Sequence, residues 1–142
     1  MKVLIGSDHA GFALKEQLKK EFSNEFSFED VGTFSEESVD YPDFAHKLTC
    51  QISQNPSSFG ILICGTGNGM AMCANKYKDV RAGLCWNADI AALVRQHNNA
   101  NILVIPARFI TLEEAKNVFK TFFSTDFEGG RHQRRVEKVN IQ

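Results

Sequence analysis

A chain of 142 residues, 43% hydrophobic and 23% charged, has the composition of a soluble globular domain that buries its core without disulfide or metal staples. Its formal net charge of -1 excludes a global field that would recruit nucleic acid or an acidic membrane, so any anion site is local. Apolar runs too short to span a bilayer, an N-terminus that turns polar too early for a secretory signal, and four cysteines without paired spacing predict a reduced, cytoplasmic protein.

In chain order, KVLIGS at 2–7 is a compact β-rich run. A helix follows, with Phe12, Leu14, Leu18 and Phe22 on one face and Lys15, Glu16 and Lys19 elsewhere. Residues 26–31 alternate apolar and polar and predict an edge strand; Phe44, Ala45, Leu48 and Ile52 mark a second helix. FGILIC at 59–64 lacks alternation, as a strand covered on both faces does. A glycine-rich turn leads into a third helix from Gly69 towards Lys76, a strand at 81–85, a fourth helix from Ala88 to Gln96 and a strand at 101–105. Thr111 and Glu114 form a capping box ahead of Ala115, Val118, Phe119, Phe122 and Phe123, and a last short helix is expected over 131–139. The alternation predicts one domain, residues 1–142, with a Rossmann-like three-layer α/β/α sandwich around a five-stranded parallel sheet.

Ligands of such sheets bind at the carboxyl ends of the strands, where the winding reverses. If the strand order begins 2-1-3, Asp8 and His9 after the first strand converge with Cys64 and Thr66 after the third. The loop Cys64-Gly65-Thr66-Gly67-Asn68-Gly69 turns sharply and presents backbone N–H groups, suited to a phosphate or an enediolate-like oxyanion. It is neither G-x-x-x-x-G-K-[ST] nor G-x-G-x-x-G, which disfavours nucleoside triphosphates and dinucleotides. Cys64 stands where the helix field favours a thiolate able to act as base or nucleophile, whereas Cys50, Cys73 and Cys85 read as small buried hydrophobes. His9 and His97 sit at element ends beside Asp8 and Asn98 and suit proton transfer; His46 reads as solvated. Arg131 and Arg135, four apart, share a helix face able to clamp a phosphate. The histidines are scattered, none at ligand spacing to a cysteine, so no metal is expected.

The motifs GSDHAGF at 6–12, DYPDFA at 40–45, GILICGTGNGM at 60–70, ANK at 74–76, RQHNNAN at 95–101 and EGGRHQRRV at 128–136 resemble the type B ribose-5-phosphate isomerase family, which includes isomerases of allose 6-phosphate and galactose 6-phosphate. The resemblance covers nearly the whole chain. It implies interconversion of ribose 5-phosphate and ribulose 5-phosphate through a cis-enediolate, in the pentose phosphate pathway, without metal or organic cofactor. It matches Cys64 to the base, Thr66 and the N–H groups of Gly65, Gly67, Asn68 and Gly69 to the enediolate cradle, and His97 to the ring-opening acid, with Asp8 facing the same oxygens. It matches His9, Arg131 and Arg135 to the phosphate end, with Arg108 a further candidate, and Tyr41 and Asn98 to sugar contacts. It further implies a homodimer or tetramer whose sites are shared between chains. The alternatives are an isomerase of a six-carbon sugar phosphate, a nucleotide- or flavin-binding module, and a redox protein built on Cys64.

Overall fold

The structure is a computed structural model and describes residues 1–141. Its elements run β1 (Lys2–Ser7), α1 (Phe12–Glu21), β2 (Ser27–Asp30), α2 (Tyr41–Gln54), β3 (Phe59–Cys64), α3 (Asn68–Ala74), β4 (Ala82–Leu84), α4 (Ala88–Asn98), β5 (Ile102–Pro106), a 3₁₀ turn (Ala107–Phe109), α5 (Leu112–Ser124) and α6 (Arg131–Glu137). The five strands are all parallel, in the order β2-β1-β3-β5-β4. The three central strands are apolar on both faces, because helices cover both. Val3, Ile5, Ile61, Ile63, Leu103 and Ile105 pack under α1, α4 and α5, while Leu4, Leu62, Ile102 and Val104 pack under α2 and α3.

Crossover handedness explains which helix covers which face. From β1 the chain steps outward to β2, returns past β1 to β3, continues past β5 to β4, and turns back to β5. Right-handed crossovers in opposite directions place their helices on opposite faces. Thus α1 and α4 share one face, and α2 and α3 the other. The winding reverses at β1, so the ends of β1 and β3 lie side by side, Ser7 in register with Ile63.

The strands and helices fall where the periodicity predicts, with shorter edges. The edge strand β4 keeps only three residues. The backbone before it is tied by side chains instead: Arg81 N–H donates to Asn101 Oδ1 at 2.8 Å, and Asn101 Nδ2 donates to the Asp79 carbonyl at 2.9 Å. The capping box forms as expected, Glu114 N–H donating to Thr111 Oγ1 at 3.1 Å. His46 is paired rather than simply solvated, with Nδ1 2.8 Å from the Tyr77 hydroxyl.

Lys15 departs from expectation. Placed by the sequence pattern off the buried face of α1, its side chain is fully buried, with Nζ 2.7 Å from both Asp30 carboxylate oxygens and from the Thr33 carbonyl. A four-carbon stem can cross the sheet edge and deliver its charge to an acid on β2, which helical periodicity does not register. No helix among the described residues is long and apolar enough to cross a membrane.

Candidate active site

The turn after β1 is built on its own side chain. Gly11 N–H donates to Asp8 Oδ1 at 3.0 Å, and Asp8 N–H donates to the Ile63 carbonyl at 3.2 Å, fastening the turn to β3. A Cβ at Gly11 would collide with the Ile63 carbonyl oxygen, so only glycine permits this approach. Gly11→Ala is therefore expected to cost about 1–3 kcal/mol as an overpacked, backbone-limited substitution, read as a lower midpoint in urea.

At the end of β3, Cys64 is 4% exposed and opens the glycine loop. Gly67 adopts φ 78°, a left-handed conformation, where a side chain would also strike Leu84. Thr66 Oγ1 accepts from Asn68 N–H at 3.2 Å, which leaves the hydroxyl proton of Thr66 to donate outward. The ring of Tyr41, first residue of α2, lies against Gly69. Arg108 arches over Gly65, its backbone N–H donating to the Gly65 carbonyl at 3.0 Å. His9 Nδ1 accepts from Val39 N–H at 3.1 Å, so the neutral ring carries its proton on Nε2. These residues line one cleft of about 450 Å³, in which Asp8, His9, Tyr41, Cys64, Gly65, Thr66, Asn68, Gly69 and Arg108 meet, with Met72 at its wall.

The remaining candidate residues lie elsewhere. His97 and Asn98 end α4, which runs from the carboxyl end of β4 to the amino end of β5. Eleven helical residues span about 16 Å, so His97 sits near the amino ends of the strands, the opposite end of the sheet from Cys64. Arg95 anchors that helix end, donating to the carbonyls of Thr125 and Ala100 and to Asn99 Oδ1. Packed on it, α6 brings Arg131 and Arg135 beside His97 and Asn98 around a second cleft of about 460 Å³. The His132 ring stacks on His97 at 4.3 Å between centroids. Burial, together with the neighbouring His97 and Arg131, pushes the His132 imidazole below its ordinary value.

Residues 3–139 match the model of the ribose/galactose isomerase family. The chain belongs to that family. Among its relatives of known structure, a ribose 5-phosphate isomerase from Thermotoga maritima is 53% identical, with a TM-score of 0.93 and coverage of 97% of this chain and 96% of that one. Ribose-5-phosphate isomerase B from Mycoplasma genitalium, solved with bound ribulose-5-phosphate, is 42% identical with a TM-score of 0.93, covering 97% and 93%. Ribose-5-phosphate isomerase B of Escherichia coli is 39% identical over 139 residues, 97% of this chain and 93% of that protein.

Within this family member, the sequence-predicted residues form two groups rather than one. The four expected to converge at β1 and β3 do so, joined by Tyr41 and Arg108, while His97, Asn98, Arg131 and Arg135 assemble at the opposite end of the sheet. Met72 and Glu128 escaped individual notice. Met72 faces the cleft only because the glycine loop sets the rotation of α3, and a lone methionine gives no sequence signal. The other three cysteines are free, and Cys85 is inert, its thiol pushed up to about 12 by burial.

Proposed function

We propose that the chain interconverts ribose 5-phosphate and ribulose 5-phosphate, with each complete site built from the Cys64 cleft of one copy and the His97 cleft of a second. The observation that carries this reading is the division of the acid–base set between the carboxyl and amino ends of one sheet, in a chain whose named relatives are ribose-5-phosphate isomerases. Large apolar side chains crowd the Cys64 end of the sheet: Phe34, Tyr41, Met72, Trp86 and Phe109 are all exposed there, after β2, at the start of α2, on α3, after β4 and after β5. Such a rim suits burial against a second copy. Four free thiols suit a reducing cytoplasm.

In this reading His97 donates a proton to the ring oxygen as the bond from C1 to that oxygen breaks, and the anomeric hydroxyl gives its proton to the Asp8 carboxylate as it becomes the carbonyl. The Cys64 thiolate removes the proton from C2, and the electron pair passes to the carbonyl oxygen, giving the enediolate. Thr66 Oγ–H and the loop N–H groups stabilise the developing charge, an effect typically worth ~3–4 kcal/mol per well-placed donor. Cys64 then returns the proton to C1 while the hydroxyl proton passes from O2 to O1, which gives the ketose. His9 Nε2–H and Arg108 hold anionic oxygens from one side, and Arg131 and Arg135 from the other. Fixing the phosphate far from the reacting carbons positions the sugar.

The deciding measurement is kcat/KM on ribose 5-phosphate, allose 6-phosphate and galactose 6-phosphate, with a chelator present throughout. Preference for the five-carbon substrate is expected. Preference for a six-carbon sugar would reassign the substrate, and loss of activity in chelator would replace acid–base chemistry carried by side chains alone. Tight binding of a flavin or nucleotide with no isomerisation would favour the binding-module alternative.

A further inference from the structure

We propose that His97, Glu128 and His132 form a capture site for a zinc-class divalent ion, whose occupation inhibits the enzyme. Their sequence positions gave no hint of it, because the two histidines are thirty-five residues apart. Packing of α6 on α4 removes that separation. Glu128 N–H donates to the carbonyl of Gln96, the residue before His97, at 3.1 Å, and His132 N–H donates to the Gly129 carbonyl at 3.0 Å. One ligand atom from each of the three side chains then lies within 4.8 Å of the others, with His132 Nε2 3.6 Å from Glu128 Oε2.

Two imidazole nitrogens and a carboxylate oxygen are a donor set that zinc accepts, at ~2.0–2.2 Å from each atom. Tetrahedral donors at that radius stand about 3.3 Å apart, so the His132–Glu128 pair is nearly at binding distance already. His97 is partly exposed and the Glu128 side chain is 51% exposed, so small rotations supply the remaining approach and break the parallel ring stack. The adjoining cleft leaves a fourth position open to water. Arg131 and Arg135 line that cleft and oppose a dication. An anion on the arginines cancels the opposition, so inorganic phosphate should strengthen metal binding. Occupation takes the lone pair on His97 and removes the proton donor assigned to ring opening. The inhibitory consequence rests on the proposed isomerase reading; the binding site does not.

The test is a Co²⁺ titration of the full chain, read by visible and near-ultraviolet absorption, beside Zn²⁺ inhibition of isomerase activity. We expect d–d bands without a thiolate-to-metal charge-transfer band, retained in Cys64→Ala and lost in Glu128→Gln. Glu128 is exposed, so Glu128→Gln should fold and turn over normally in chelator. Its Zn²⁺ concentration for half-inhibition should rise by no less than the roughly 10-fold that even an outer-shell partner contributes to metal affinity. A thiolate band, or Co²⁺ binding unchanged in Glu128→Gln, would overturn the proposal. If the chain showed no isomerase activity, the Co²⁺ spectra alone would still decide the site.

Discussion

Cys64→Ala is expected to lower kcat on ribose 5-phosphate by roughly 10³–10⁴-fold, the upper range for loss of a positioned acid–base group. KM should change little, since the phosphate contacts assigned to His9 and the arginines do not involve the thiol. The substitution removes one sulfur from a tight strand end, so the thermal midpoint should move by only a few degrees. Folding and catalysis are thus separable in this variant. An unchanged kcat would remove Cys64 as base. The same variant tests the shared site. Mixed and reassociated with His97→Asn, also inactive alone, it should form heterodimers in which one site carries both changes and the other carries neither. Random pairing then restores about a quarter of the wild-type activity per chain. No recovery, from chains shown to exchange, would mean that each copy works alone.

Lys15→Ala is expected to destabilise the fold by about 3 kcal/mol, near the lower end for breaking a buried ion pair by removing one partner. The lower end applies because Asp30 keeps Lys19, with Nζ 2.7 Å from Oδ2, and the Gly32 N–H at 2.9 Å. Lys15 also lies 5.4 Å from the Phe12 ring centroid and 5.0 Å from that of Phe34, contacts that alanine loses. Its hold on the Thr33 carbonyl reaches the site through one more step, since Thr33 N–H donates to the Ser7 carbonyl just before Asp8. In the double variant Lys15→Met/Asp30→Asn the costs should sum to less than the two single changes, because no buried charge is left unpaired.

The pair also shapes the acid limb of stability. Burial alone would raise the Asp30 carboxyl, but the bonds from Lys15, Lys19 and Gly32 outweigh it and hold the group below its usual 3.8. A folded value below the unfolded one contributes stability that is present above pH 3.8 and disappears as pH falls through the depressed value. Lys15 runs the other way: burial lowers its folded value below 10.5, so its penalty is relieved at high pH. Asp30→Asn should therefore flatten the decline of unfolding free energy below about pH 4, measured by urea titrations at stepped pH.

Much of this was legible in the chain. Non-alternating runs at 2–7 and 59–64 read as strands covered twice, and the helix periods between them argue for crossovers and a parallel sheet. The local chemistry of the loop after β3 was equally plain, because three alternating glycines behind a cysteine let the backbone take a tight turn that other residues resist. Lys15 was misplaced because its burial depends on an acid fifteen residues away, on another element.

By itself, then, the sequence determined the fold class and the strand positions, because periodicity and turn composition record each segment's own burial, and it supplied the candidates for acid–base and anion chemistry. Only the tertiary structure decided which of those residues meet. Strand order and crossover direction depend on contacts between distant segments, and they send the end of β3 and the end of α4 to opposite ends of one sheet. Cys64 and His97 look like members of a single site when read along the chain. Folding divides them, and the same packing gives His97 the neighbours Glu128 and His132.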